Sequence, residues 1–206
     1  MKNVKEEALL WVRVVSPIAI WAIILYATDT KLSINKEAIK KLPDVVTVYV
    51  ILSLVFTKWL WRLRFFRSWL VPFPDLQGTW EGQVTSTWKN PNTNETLSPI
   101  PIILVIRQTF SSISCTLFTK ESESHSTSAQ FSRDEDGAVR LSYIYTNRPK
   151  ATIRDRSEIH EGAARLNVVT VPQRSLEGEF WTGRCTTGEM SLNFKSKELF
   201  ESFPNA

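Results

Sequence analysis

Arg107, Tyr143, Tyr145, Arg165 and Arg184 are the side chains whose types and placement suit ligand binding. Each stands in or beside a run where apolar and polar residues alternate, the period-two pattern of a strand with two unlike faces. A guanidinium grips phosphate through two parallel hydrogen bonds, and an aromatic ring offers a flat surface to a base. Thr109, Thr127 and Thr182 add hydroxyl groups. The chemistry to expect is noncovalent recognition of a small ligand. Whether each of these side chains faces a lumen or the outer wall stays open, because a one-residue change of phase reverses a whole strand.

Catalysis is not expected. The chain contains no hydrolase nucleophile elbow, P-loop, dinucleotide-binding glycine pattern or zinc motif. Its carboxylates are scattered; Glu177 and Glu179 share a strand face, which reads as solvated. His125 and His160 have no paired Cys or carboxylate motif, so neither a metal nor a cofactor is expected. Cys115 and Cys185 are expected to be reduced packing residues rather than a disulfide.

The elements that position these residues begin at Leu76. Leu76, Gly78, Trp80, Gly82 and Val84 share one face; Ile102, Leu104 and Ile106 alternate with Ile103, Val105 and Arg107; Ile113, Cys115 and Leu117 alternate with polar residues. Further strand runs are predicted at Ser126–Ser132, Val139–Asn147, Ile159–Val171, Leu176–Arg184 and Met190–Lys195. Turn signals separate them at Asn90-Pro91-Asn92, Asp134 to Gly137, Asn147-Arg148-Pro149 and Thr186-Thr187-Gly188. Short strands at regular spacing predict an all-β, antiparallel, up-and-down barrel of about eight strands over 76–206. A barrel of that size is filled by side chains or holds one small ligand. The Gly78-Thr79-Trp80 opening resembles the first strand of lipocalins and fatty-acid-binding proteins, where the tryptophan plugs one end; Trp80 is expected in the core.

Residues 1–71 differ. Two apolar runs, about 8–27 and 45–61, are expected to form a two-helix transmembrane hairpin, since about 20 helical residues cross a bilayer core. An aromatic and basic collar follows from Lys58 to Trp69, then a short linker at 72–75. Arg13 interrupts the first span, either snorkelling to the interface or acting when helices associate. Lys2, Lys5, Arg13, Lys58, Arg62, Arg64 and Arg67 against Lys31, Lys36, Lys40 and Lys41 favour a cytosolic barrel. Charge divides along the same boundary. Residues 1–75 carry 11 Lys/Arg and 6 Asp/Glu, a net of +5, so the remainder of a chain with +4 carries −1. That barrel has no excess charge for a DNA or RNA polymer.

Two spans, a collar and a barrel opening Leu76-Gln77-Gly78-Thr79-Trp80-Glu81-Gly82 resemble the CD-NTase-associated membrane effectors of bacterial CBASS anti-phage systems. The resemblance covers essentially the whole chain. It implies a barrel that binds a cyclic dinucleotide from a partner CD-NTase, then homo-oligomerisation, inner-membrane disruption and death of the infected cell. A dianion with two flat bases suits a pocket with few cations and some rings. The spans would then meet through small or polar positions such as Ala19, Ala22, Ser53 and Thr57. The site residues come from the chemistry above, not from the resemblance. The alternative is a membrane-tethered lipocalin-like carrier of a lipid or other apolar ligand; a barrel that binds another protein comes third.

Overall fold

The computed structural model describes residues 6–30, 35–66, 70–71, 73–90 and 93–204. Lys2, Lys5, Lys31, Arg67, Ser68, Trp69 and Pro72, and the Pro91-Asn92 part of one predicted turn, lie outside the described residues. The chain divides into two compact units, residues 2–72 and 73–206.

The first unit is helical. Helix α1 runs Glu6–Ala27, α2 Lys36–Lys40 and α3 Leu42–Lys58. At 1.5 Å per residue, the 22 residues of α1 extend about 33 Å. Its Leu10–Ala27 stretch is long and apolar enough to cross a membrane, alone among the described helices. Helix α3 has 17 residues, about 26 Å. It starts earlier than the apolar run suggests, because Pro43 in its first turn is pre-set for helix and lacks an N–H that would go unpaired there. The connection holds α2, capped by Asn35, whose side chain accepts from the Ala38 N–H at 2.8 Å. Trp21 on α1 donates its indole N–H to the Ala38 carbonyl at 3.2 Å. Elsewhere both helices leave large apolar side chains exposed, among them Leu10, Trp11, Ile18 and Ile23 on α1 and Val46, Ile51 and Leu54 on α3. Beyond Lys58 the collar tightens into 3₁₀ turns at Leu60–Arg62 and Arg64–Phe66. Within it Trp61 is buried, with the Arg62 guanidinium 4.9 Å from its ring centre.

The second unit is a closed barrel of eight antiparallel strands: β1 (Gly78–Ser86), β2 (Ile100–Gln108), β3 (Ile113–Phe118), β4 (Ser122–Arg133), β5 (Val139–Pro149), β6 (His160–Val169), β7 (Ser175–Thr182) and β8 (Thr187–Ser196). Each strand pairs with the next in sequence, and β8 returns to β1 with Leu192 opposite Gly82 and Phe194 opposite Trp80. Closure leaves no unpaired edge. Alternation sets the faces: Trp80, Leu104, Leu141, Leu166, Leu176 and Leu192 point inward and have no exposed surface.

The connections define two ends. At the linker end, Phe73 stacks on Phe131 with ring centres 4.9 Å apart. Gln108 receives the Leu76 N–H at 2.8 Å and donates to the Pro74 carbonyl at 3.2 Å. Trp80 donates its indole N–H to the Leu76 carbonyl at 2.9 Å. Arg174, from the β6–β7 connection, lies over Phe194 at 3.9 Å and Trp80 at 5.1 Å, and donates to the Asp75 carbonyl at 2.8 Å. The predicted linker is thus packed onto the barrel from Phe73 onward and closes this end.

Strand β2 is buried on both faces. Its outward Ile103 and Val105, with Phe118 of β3, are covered by Leu199, Phe200 and Phe203 of the C-terminal segment. Thr79 holds that segment: its hydroxyl donates to the Glu198 carbonyl and accepts the Phe200 N–H at 3.2 Å. A near-continuous apolar run is the mark of a strand covered on both sides; period-two analysis of Ile102 to Ile106 sees the strand but not its cover.

Candidate ligand-binding mouth of the barrel

The far end, opposite the linker, is formed by the β1–β2, β3–β4, β5–β6 and β7–β8 connections. Strand β5 points Leu141, Tyr143, Tyr145 and Asn147 inward in that order, so side chains become more polar toward this end. Asn147 accepts a hydrogen bond from the Ser124 hydroxyl at 2.9 Å, and both are buried. Ser126 accepts the Cys115 N–H at 2.9 Å, next to a bulge between Ser126 and Ser128.

The two tyrosine rings lie 5.8 Å apart and tilted by 46°. Small residues face them across the strands: Ala129 and Ala164 are paired with Tyr143, and Ser126 and Gly162 with Tyr145. The Tyr145 ring rests on Gly162. A Cβ there would sit 2.6 Å from both Cζ and Oη of the ring. The Tyr143 hydroxyl is buried and has no hydrogen-bond partner among the described residues. Burial, reinforced by Cys115 and Tyr145, holds its pKa well above 10, so it is a neutral phenol with a proton to donate. Burial pushes Tyr145 up to about 12, and the nearby Arg184 guanidinium offsets part of that rise.

Arg184 sits in the tight β7–β8 turn. Thr182 and Thr186 exchange hydrogen bonds across it, and Cys185 takes a left-handed φ of 58°. The Arg184 guanidinium donates to the Ser157 hydroxyl at 3.2 Å and lies 3.5 Å from His160 Nε2. His160 Nδ1 lies 2.8 Å from the Glu158 carbonyl, which can only accept. That bond puts the neutral ring's proton on Nδ1 and its lone pair on Nε2, toward Arg184. Burial pulls the His160 pKa below 6.5, partly offset by the hydrogen bond to the Glu158 carbonyl and helped to a lesser extent by Arg184. The β5–β6 connection adds Lys150, Arg154 and Arg156 at this end; Arg156 is paired with Glu121 at 2.6 Å.

The structure therefore brings Tyr143, Tyr145 and Arg184 to one end of the barrel. It does not bring the other sequence candidates there. Arg107 is exposed on the outer wall of β2, because its inward neighbours are Ile106 and Gln108. Arg165 is exposed on the outer wall of β6, between Ser142 and Glu179. Thr109 lies in the β2–β3 turn at the linker end, with its hydroxyl 2.7 Å from that of Ser112. Thr127 is exposed in the β4 bulge and donates to the Ile144 carbonyl at 3.3 Å. Thr182 belongs to the Arg184 turn. Both cysteines are free, but only Cys115 packs inside; Cys185 is exposed, which corrects the expectation of two packing residues. His160, Asn147, Ser124 and Gly162 also stand at this end, beyond the candidates the sequence offers. Asn147 closes the predicted strand Val139–Asn147 and opens a turn signal, and its place in the Tyr143-x-Tyr145-x-Asn147 spacing carries the sign that it faces inward.

The fold defines a class: a closed eight-stranded antiparallel barrel, packed with aromatic side chains at the linker end. Residues 71–193 match the family model described as Cap15, cyclic dinucleotide receptor domain. The chain belongs to that family. It is also similar to two proteins described as CD-NTase-associated protein 15. One, from Escherichia albertii, is 27% identical over 156 residues, covering 74% of this chain and 76% of the relative. The other, from Staphylococcus schleiferi, is 26% identical over 147 residues, covering 71% and 75%.

Proposed function

We propose that this chain is the membrane effector of a CBASS anti-phage system, and that its barrel binds a cyclic dinucleotide made by a partner CD-NTase. The observation that carries the proposal is the receptor-family match across a barrel whose far end gathers Tyr143, Tyr145, His160 and Arg184. Two rings suit the flat bases, and Arg184 suits a phosphate. The linker end is filled by Phe73, Leu76 and Trp80, which leaves the far end for entry.

In this reading α1 and α3 span the bacterial inner membrane and the barrel lies in the cytosol. The apolar side chains exposed on both helices support contact with lipid. Ligand drives homo-oligomerisation only if the assembled state binds it more tightly than the resting state. Assembly then disrupts the membrane and kills the infected cell.

The test is leakage. The full chain is reconstituted into dye-loaded liposomes and exposed to cyclic dinucleotides built from A, G and U. Release with one of them, and none with linear dinucleotides or mononucleotides, is the expected result. Vesicles that stay sealed under every ligand, at protein densities verified by flotation, contradict the effector role.

A further inference from the structure

The far end of the barrel is polar, yet in this state it is shut. The phenol end of Tyr145 lies against Gly162, and the residue is 9% exposed. Beside it the Tyr143 hydroxyl is buried with no hydrogen-bond partner among the described residues. A buried hydroxyl without a hydrogen bond costs stability, and native interiors keep few such groups. The residues paired with them across the strands are small, Ala129 and Ala164 for Tyr143 and Ser126 and Gly162 for Tyr145, while Phe180 stands opposite Ala164 one strand further on.

Resting on the receptor reading above, we infer that Tyr145 is a gate: it swings off Gly162 to admit the ligand, and the Tyr143 hydroxyl beside it is a ligand-binding group. The unpaired hydroxyl is a donor held ready for a phosphate or base oxygen. Gly162 is the seat on which the closed gate lies, since any side chain there meets the ring. Arg184 and His160, at the rim, meet the ligand before the gate opens. Opening precedes full binding, so the observed binding rate must level off as ligand concentration rises.

The experiment uses the detergent-solubilised full chain and a panel of cyclic dinucleotides built from A, G and U. Equilibrium titration and stopped-flow tryptophan fluorescence compare the wild type, Tyr143→Phe and Tyr145→Ala. Tyr143→Phe should bind about tenfold more weakly, as expected for one lost hydrogen bond of about 1.4 kcal/mol. Its unfolding midpoint should stay unchanged or rise, because the lost hydroxyl had no partner. A purely structural tyrosine would not give that combination. The wild-type rate should reach a plateau with ligand concentration, and Tyr145→Ala should abolish the plateau. Wild-type binding that Tyr143→Phe leaves unaltered overturns the inference alone, as does a wild-type rate that rises linearly throughout. If the wild type binds no member of the panel, the receptor reading fails and the gate fails with it.

Discussion

The indole N–H of Trp80 donates to the carbonyl oxygen of Leu76 at 2.9 Å, tying the core of the first strand to the segment that enters it. Both residues are fully buried. The Trp80 ring is thus fastened to the stretch of chain immediately before its own strand. Trp80→Phe removes the donor and leaves a buried carbonyl unpaired, a loss of about 1–3 kcal/mol. Urea unfolding of the full chain in detergent, followed by circular dichroism, should show it. An unchanged midpoint would mean that the bond contributes nothing.

Several glycines, Gly82 and Gly178 among them, mark where strands approach too closely for a side chain. A Cβ at Gly82 would lie 1.9 Å from the Ser191 carbonyl oxygen, and one at Gly178 would lie 2.0 Å from that of Arg165. Both obstacles are backbone and cannot rotate away. Gly82→Ala and Gly178→Ala should therefore prevent the barrel from closing, seen as loss of folded protein on gel filtration. Gly183→Ala is the control, since its nearest atom would be 3.7 Å away. Equal yields from all three variants would count against this closure geometry.

The C-terminal segment should depend on one hydroxyl. Thr79→Val keeps the shape but removes both of the Thr79 hydrogen bonds to Glu198 and Phe200. The expected cost is about 1–3 kcal/mol. Hydrogen exchange should quicken at Phe200 first, and the apolar strip of Ile103, Val105 and Phe118 should become accessible to a hydrophobic dye. Exchange rates equal to those of the wild type would show that apolar packing alone holds the segment.

Much of this architecture was legible in the chain. Alternation from Leu76 onward gave eight strands, and the Asp134 to Gly137 signal gave a turn in which Gly137 has φ 86°. Phase was not legible. Arg107 and Gln108 are adjacent, one outside and one inside, and only the pairing of β2 with its neighbours tells them apart. Arg184 was placed at a strand end; the Thr182–Thr186 hydrogen bonds put it in a turn instead. The place of His160 beside Arg184 was not legible, because their contact joins residues 24 apart and leaves no local pattern. The connecting helix α2 was hidden because five residues carry too little periodicity to register.

His160 gives stability and affinity opposite responses to pH. Its folded pKa lies below 6.5, so the unfolded chain takes up the proton first as pH falls. Its contribution to stability is thus lost below about pH 6.5, toward the lower folded pKa. Protonation sets a second cation beside Arg184, so affinity for a dianion should rise through the same window. His160→Gln should flatten both responses. Calorimetry from pH 7.5 down to about 5.5 would reveal it; an affinity that falls with pH in the wild type alone would contradict the assignment.

The central claim is that the far end of the barrel receives a cyclic dinucleotide. Its most direct measurement is isothermal titration of the full chain in detergent, wild type beside Arg184→Ala and Arg107→Ala. The account predicts saturable heat with one cyclic dinucleotide, at least tenfold weakening by Arg184→Ala, as for a lost charge-assisted bond of about 1.5–3 kcal/mol, and wild-type affinity for Arg107→Ala. Absence of heat with every ligand, or binding that Arg107→Ala abolishes and Arg184→Ala spares, would contradict it.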